Sequence, residues 1–472
     1  MADRLSAFID VEFDQMKKDL AELVSIPSVL DPATACNGSP FGRNAAEALD
    51  KVLRLASSMG FRTRNYDGYA GEVTLGSGSH MVGILGHIDV VAAGDGWNTP
   101  PFEMTVENGC MYGRGTSDDK GPLVSSLYAM KYIDQKGLLP EGSSVRLIIG
   151  ADEEEELRCI EYYLAHADRL PDVSFVPDGY FPLVNCEKGL IDFDLNYASK
   201  PDANAEAFLE DLYGGTGRNM VPGKASCKIR LSEAAVNSNR AGEMIDALKG
   251  FKGISVSGPD SEGCITLGSE GISTHAMSPE KGRNAISHLL HALYGSGIRF
   301  DHRDFIDSYE HAIGLDIHAE RLGCNWADEE SGELTFNVGI IEQNSDGFVL
   351  RANTRWPVSY SYEDIAKHLV AGLESFGFKY SELLYMPSLN ISRDSELITK
   401  LMEAYTEITD DTENDAFSIG GATYARSIPN AVSFGPLFPY ETELAHEANE
   451  CLSEDSFRKM TMIYIRALEK LV

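Results

Sequence analysis

At 472 residues the chain is longer than one hydrophobic core usually spans, so two domains are expected; 43% hydrophobic and 24% charged residues exclude a disordered or fibrous chain. The formal net charge of -33, from 73 acidic against 40 basic residues, repels phosphate backbones and anionic lipid headgroups and argues against nucleic-acid or membrane partners. Eight cysteines (Cys36, Cys110, Cys159, Cys186, Cys227, Cys264, Cys324, Cys451) are scattered without a C-x-x-C pair, which excludes a disulfide framework and a thiolate zinc site.

The opening stretch, MADRLSAFIDVEFDQMKKDL, carries acids throughout and lacks a long apolar centre, so it fits an amphipathic helix rather than a signal peptide. No run of about 18 apolar residues occurs, no ordinary membrane span is expected, and the expected location is cytoplasmic. Up to about residue 186, short apolar runs suit buried parallel strands: HMVGILG (80–86), SVRLIIG (144–150) and VSFVP (173–177). Between them, PLVSSLYAMKYIDQKG (122–137) and LRCIEYYLAHADRL (157–170) have helical spacing, which is the alternation of an open α/β sheet.

Beyond Cys186 the texture changes. IDFDLNYAS, ASCKIRLSE and CITLGSEG alternate polar and apolar residues, as half-exposed antiparallel strands do, with helices such as GRNAISHLLHALYG between them. From about residue 388 the first texture returns, with a helix around SELITKLMEAYTEIT and a buried strand in NAVSFGP (430–436). The chain therefore divides into 1–186 and 386–472 as two parts of one α/β domain, with an inserted α+β domain at 187–385. That insertion is larger than one small sandwich needs, which predicts two subdomains side by side.

Residues suited to chemistry recur at the ends of the predicted strands. His87 follows the run MVGIL, and Asp89 in GHIDVV stands where it could orient the imidazole, although H-x-D alone also fits a structural histidine. YGRGTSDDKGP (112–122) is a glycine-rich turn that sets Asp118 and Asp119 near a helix N-terminus, as ligands or as caps. ADEEEEL (151–157) places Glu153 and Glu154 at the carboxyl end of a strand, with Glu155 and Glu156 as an acidic first helical turn. Asp178 follows another apolar run in VPDG, and His446 stands in ELAHEANE near a late helix start.

If these strand ends converge, several carboxylates crowd one cleft. Two unit charges 4 Å apart repel by about 4 kcal/mol at an effective dielectric of 20, so such a cluster demands cations. Two divalent ions would outweigh the three charges of Asp118, Glu154 and Asp178 with His87 and His446 neutral. Oxygen and imidazole ligands suit zinc, and also manganese or cobalt.

The motifs GHIDVV, YGRGTSDDKGP, the EE pair after a strand, VPDG and AHEANE, in this order, resemble the dinuclear metallopeptidase family of aminoacylases, desuccinylases and dipeptidases. The resemblance covers essentially the whole chain, and the long insertion with NMVPG (219–223) and GGATYAR (420–426) is most similar to its bacterial dipeptidase branch. It implies a zinc-peptidase-like mixed sheet flanked by helices, forming a catalytic metal-binding domain, with the insertion as a lid of two subdomains. It further implies His87 and Asp178 on one metal, Glu154 and His446 on the other, and Asp118 bridging both. Asp89 would support His87, and Glu153 would be the general base and acid for a metal-bridging water. On the insertion His275 would stabilise the oxyanion, while Asn219, Arg355, Gly421 and Thr423 would bind the substrate, Arg355 through its terminal carboxylate.

The implied activity is hydrolysis of small dipeptides by a monomer, since in this branch the second half of the insertion stands in for the partner subunit of smaller relatives. An N-acyl-amino-acid deacylase or desuccinylase is the alternative among enzymes, and a non-catalytic metal- or peptide-binding protein on the same fold is the alternative outside them. No G-x-S-x-G elbow supports a serine hydrolase, and GTGRNMVPGKA (215–225) lacks the spacing and the Ser or Thr of a P-loop.

Overall fold

The computed structural model describes residues 2–238, 240–260 and 263–472. The chain forms two compact units, one of Met1–Asn185, Asn390–Phe417 and Thr423–Val472, the other of Cys186–Leu389 and Ser418–Ala422. Texture alone puts Ser418–Ala422 with the C-terminal part of the first domain. Its hydrogen bonds lead elsewhere: Lys188 N donates to the Ile419 carbonyl at 3.1 Å and the Arg355 guanidinium to the Gly420 carbonyl.

In the first unit the strands run in the order Arg62–Tyr66, Ala70–Gly76, Ser143–Gly150, His80–His87, Val173–Val176 and Ala431–Ser433. The apolar runs form the parallel centre, where His80–His87 lies between Ser143–Gly150 and Val173–Val176. From Met81 to His87 every residue of its strand is buried, because a strand covered on both faces has no polar side to show. The hairpin Arg62–Gly76 adds antiparallel strands at one edge and makes the sheet mixed.

Lys120–Gln135 is apolar around most of its circumference and is accordingly buried along most of its length. It packs with the first and last helices of the chain. The Tyr128 hydroxyl donates to Asp19 of Ala2–Val24 at 2.7 Å, and the Thr461 hydroxyl of Glu454–Leu471 donates to Ser125 at 2.9 Å.

Among its described residues the second unit holds an antiparallel sheet of eight strands, beside the short pair Ala327–Asp328 and Gly332–Glu333. One half consists of Ile254–Ser257, Cys264–Glu270, Lys224–Leu231 and Ala207–Gly214; the other consists of Thr335–Asn344, Gly347–Trp356, Gly189–Ala198 and Lys379–Met386. The halves join edge to edge through the pairs Tyr213↔Glu342 and Gly214↔Ile341 and so form one continuous sheet. Alternation along the strands buries one face: Cys227, Ile229 and Leu231 meet Leu289 and Leu293 of Ala285–Gly295 in the unit's core.

Candidate metal centre

His80–His87 carries the His87 ring, fully buried, to the carboxyl end of its strand. Gly86 precedes it because a Cβ there would lie 2.4 Å from Oδ2 of Asp119. The absence of that Cβ lets the Asp119 carboxylate accept the His87 backbone N–H at 3.0 Å. The Nδ1 of His87 lies 3.1 Å from the Asp89 carbonyl oxygen and 3.6 Å from its Oδ1. The Asp89 backbone oxygen is the nearer partner of the ring, its Oδ1 lies beside the same nitrogen, and its Oδ2 accepts from Glu154 N at 3.1 Å. A proton on Nδ1 alone would leave the Nε2 lone pair for a cation, whereas a second proton on Nε2 makes the ring a donor to Asp118.

Six of the predicted side chains come together there. Asp118 reaches one histidine with each oxygen, Oδ1 lying 2.9 Å from His87 Nε2 and Oδ2 lying 3.2 Å from His446 Nε2. Glu154 is 2.8 Å from His446 Nε2, and Asp178 is 3.8 Å from His87 Nε2. Ligand atoms of His87, Asp118 and Glu154 fall within 4.8 Å of one another, as do those of His87, Glu153 and Asp178. The neighbouring glutamates therefore take separate places, Glu154 against His446 and Glu153 beside Asp178.

Burial, reinforced by the Asp118 carboxylate, pushes Asp178 up to about 7, and burial with the charge of Asp178 raises Glu153. Asp118 is buried too, yet hydrogen bonds from His446 and His87 outweigh burial and hold it well below the usual carboxylate range. The buried basic groups of the same turn are engaged elsewhere: Lys120 donates to the Leu23 and Ile26 carbonyls at 3.0 and 2.8 Å, and Arg114 pairs with Glu450 at 2.8 Å. Two imidazoles and four carboxylates, short of local positive charge, are a donor set that fits a pair of divalent cations.

Local structure differs from expectation in two places. Glu155 and Glu156 are exposed in a turn before the helix, which begins at Arg158, and it is the buried Asp152 that accepts the Arg158 backbone N–H at 3.2 Å. His446 lies in a turn at φ 66° rather than at a helix start, and the next helix begins at Glu454. Sequence reasoning also missed Glu450 and Arg114, both fully buried behind the centre. AHEANE places an acid four residues after His446 and YGRG an arginine four before Asp118, but nothing in either pattern marks the pair as buried.

The residues predicted to meet substrate lie mainly on the second unit. Met220 and His275 form an antiparallel bridge, and Ala276 N donates to the Asn219 carbonyl at 2.8 Å, so Asn219 and His275 are neighbours. The His275 Nδ1 accepts from Met277 N at 3.2 Å, which puts the proton of a neutral ring on Nε2 as a donor. A Cβ at Gly420 would lie 2.7 Å from Met277 Cβ, and the Arg355 guanidinium donates to the Gly420 carbonyl, so this segment, Gly421 included, sits between the other two. Thr423, on the first unit, accepts from Ala425 N at 3.2 Å and caps the turn Tyr424–Ser427.

Comparison with known proteins gives a consistent set of likenesses. A family model described as Peptidase family M20/M25/M40 matches residues 83–470. The chain is 35% identical over 471 residues to a Bacillus subtilis (strain 168) protein named "Putative dipeptidase YtjP", covering 98% of this chain and 99% of that one. Human carnosine dipeptidase 1 shares the fold with TM-score 0.58 at 16% identity, over 100% of this chain and 99% of that one. The di-peptidase Dug1p from Saccharomyces cerevisiae shares it with TM-score 0.59 at 15% identity, over 100% of this chain and 98% of that one.

Proposed function

The chain belongs to peptidase family M20/M25/M40, and from that premise we propose that it is a metal-dependent dipeptidase whose centre is built on Asp118. The observation that carries this reading is the Asp118 carboxylate set between two imidazoles, with Glu153, Glu154 and Asp178 gathered around it. His87 and Asp178 would hold one divalent ion and Glu154 and His446 another, with Asp118 shared; zinc suits the donors, as do manganese and cobalt. When bound, such ions supply Lewis acidity and lower the pKa of water.

The remaining steps belong to the chain's own groups. The Glu153 carboxylate takes a proton from the attacking water as its oxygen joins the peptide carbonyl carbon. It gives that proton to the amide nitrogen as the C–N bond breaks, releasing an acid and an amine. His275, with its proton on Nε2, donates to the carbonyl oxygen as negative charge develops, and Asn219 stands beside it. Arg355 matches the terminal carboxylate of a dipeptide, with Gly421 and Thr423 adding backbone contacts.

We place the enzyme in the cytoplasm as a monomer. Among the described residues no helix is long and apolar enough to cross a membrane, and the cysteines are thiols rather than disulfides. The eight-stranded sheet joins within one chain two halves that could otherwise come from two copies.

The test is to incubate the purified protein and zinc or manganese with dipeptides, N-acetyl-amino acids and N-succinyl-amino acids, following products chromatographically. Hydrolysis of the dipeptides is expected. Faster release from the acylated amino acids would favour the deacylase or desuccinylase alternative, and tight binding without turnover would favour the non-catalytic one.

A further inference from the structure

Behind the centre, Arg114 and Glu450 form an ion pair 1% and 0% exposed, with Nη1 2.8 Å from Oε2. Glu450 collects the amides of the turn that ends on Asp118. Its Oε2 accepts from Gly115 N at 3.0 Å, and its Oε1 accepts from Ser117 N at 2.9 Å, Ser117 Oγ at 3.0 Å and Asp118 N at 3.2 Å. Arg114 reaches the other loop: Nη2 donates to the His446 carbonyl at 3.2 Å and to the Ala92 and Ala93 carbonyls at 3.4 Å.

A buried ion pair contributes little net stability compared with apolar residues of the same volume, so its presence calls for a directional role. Here the direction is visible. His446 and Asn449 both lie in the left-handed region at φ 66°, a backbone uncommon for residues other than glycine, and the loop between them turns sharply at both. Glu450 fixes the turn before Asp118, Arg114 fixes the loop of His446, and the ion pair joins them.

We infer that Arg114 and Glu450 are positioning residues that set the Asp118 carboxylate and the His446 imidazole at one separation, and thereby set metal affinity. The inference rests on the metal reading above. Because His446 is, among the described residues, the one proposed ligand that Arg114 meets directly, weakening its grip mainly affects the ion held by Glu154 and His446; because Glu450 holds the turn of the shared Asp118, weakening it affects both ions. Neither residue touches substrate.

The test titrates full-length, metal-free protein with cobalt(II), following d–d absorption and heat. Wild type is expected to take up two equivalents. Arg114→Lys keeps a charge opposite Glu450 but loses the fork that reaches the His446 carbonyl; one site should stay within about threefold of wild type and the other weaken about 10- to 100-fold, the usual effect of removing a group that supports a ligand. Glu450→Gln should weaken both sites by about that factor. Excess metal should restore the kcat of Arg114→Lys at unchanged KM.

Variants with wild-type circular dichroism and both affinities unchanged would overturn the inference, as would Arg114→Lys weakening both sites alike. If Arg114→Lys does not fold, Glu450→Gln decides, with unchanged affinities overturning the inference and loss at both sites supporting it. A wild-type chain that takes up no divalent ion overturns the metal reading itself and this inference with it.

Discussion

Two adjacent glutamates in the turn that follows one strand face different partners. Glu154 lies 2.8 Å from His446, whereas Glu153 groups with His87 and Asp178. Glu153→Gln keeps the shape and removes the base, so kcat for a dipeptide is expected to fall by at least about 10²-fold while both metal equivalents remain in elemental analysis. Near-normal turnover in a metal-replete variant would end the assignment. His275→Ala removes a single donor; a loss of about 10²- to 10³-fold in kcat, with metal content and folding unchanged, is expected from steady-state kinetics. The residues His87, Glu154 and Asp178 were legible because each follows an apolar run, and Asp118 because it closes a glycine-rich turn. Glu450 and Asp152 were not, since an acid that accepts backbone amides inside the protein looks in sequence like any solvated acid. Asp89 was legible as a neighbour of His87, but which of its oxygens meets the ring depends on backbone geometry that spacing does not contain.

The elements that sequence shows clearly are those with one environment along their length. His80–His87 and Ser143–Gly150 read as buried strands, and Lys224–Leu231 reads as half-buried by alternation. Arg62–Tyr66 is invisible on the same grounds: four of its five residues are exposed, and what makes it a strand is its antiparallel ladder with Ala70–Gly76. The helix Glu454–Leu471 starts where a side chain can accept its orphan amides, Ser453 Oγ accepting from Ser456 N at 2.9 Å. Ser453→Ala is expected to destabilise the first unit by about 1 kcal/mol in urea denaturation without altering metal stoichiometry. At the far end of Glu396–Thr409, burial alone would raise the Asp411 carboxyl, but hydrogen bonds from Tyr405 and Asn414 dominate and hold it at about 2. A folded pKa below the unfolded one contributes stability above about pH 4 that is lost as the pH falls through 2. The gap between wild type and Asp411→Asn in urea midpoint should therefore be largest at pH 7 and narrow towards pH 3; a gap that widens in acid would contradict the hydrogen-bonding account.

At the scale of the molecule, length and the change of texture near Cys186 announce an insertion, but the joining of its two halves into one sheet rests on Tyr213 and Gly214 meeting Glu342 and Ile341, long-range pairs that no local pattern encodes. The proposed ligands His87, Asp118, Glu154, Asp178 and His446 all belong to the first unit, and the core of the second contains none of them. In the unfolded chain they are separated by up to hundreds of positions, so an ion that binds the folded first unit has no equivalent site after unfolding. Such a ligand stabilises by RT ln(1 + [L]/Kd), about 2.7 kcal/mol when free metal stands at 100 times Kd. For a unit of this size that corresponds to about 5 to 10 °C in midpoint. Dialysis against a chelator should therefore abolish hydrolysis and lower the calorimetric transition of the first unit by that amount, with zinc or manganese restoring both. The transition of the second unit should stay in place. A chelated protein that loses neither activity nor thermal stability, or one in which the second unit alone shifts, would show that the gathered carboxylates and imidazoles of the first unit do not hold the ions that stabilise and activate the chain.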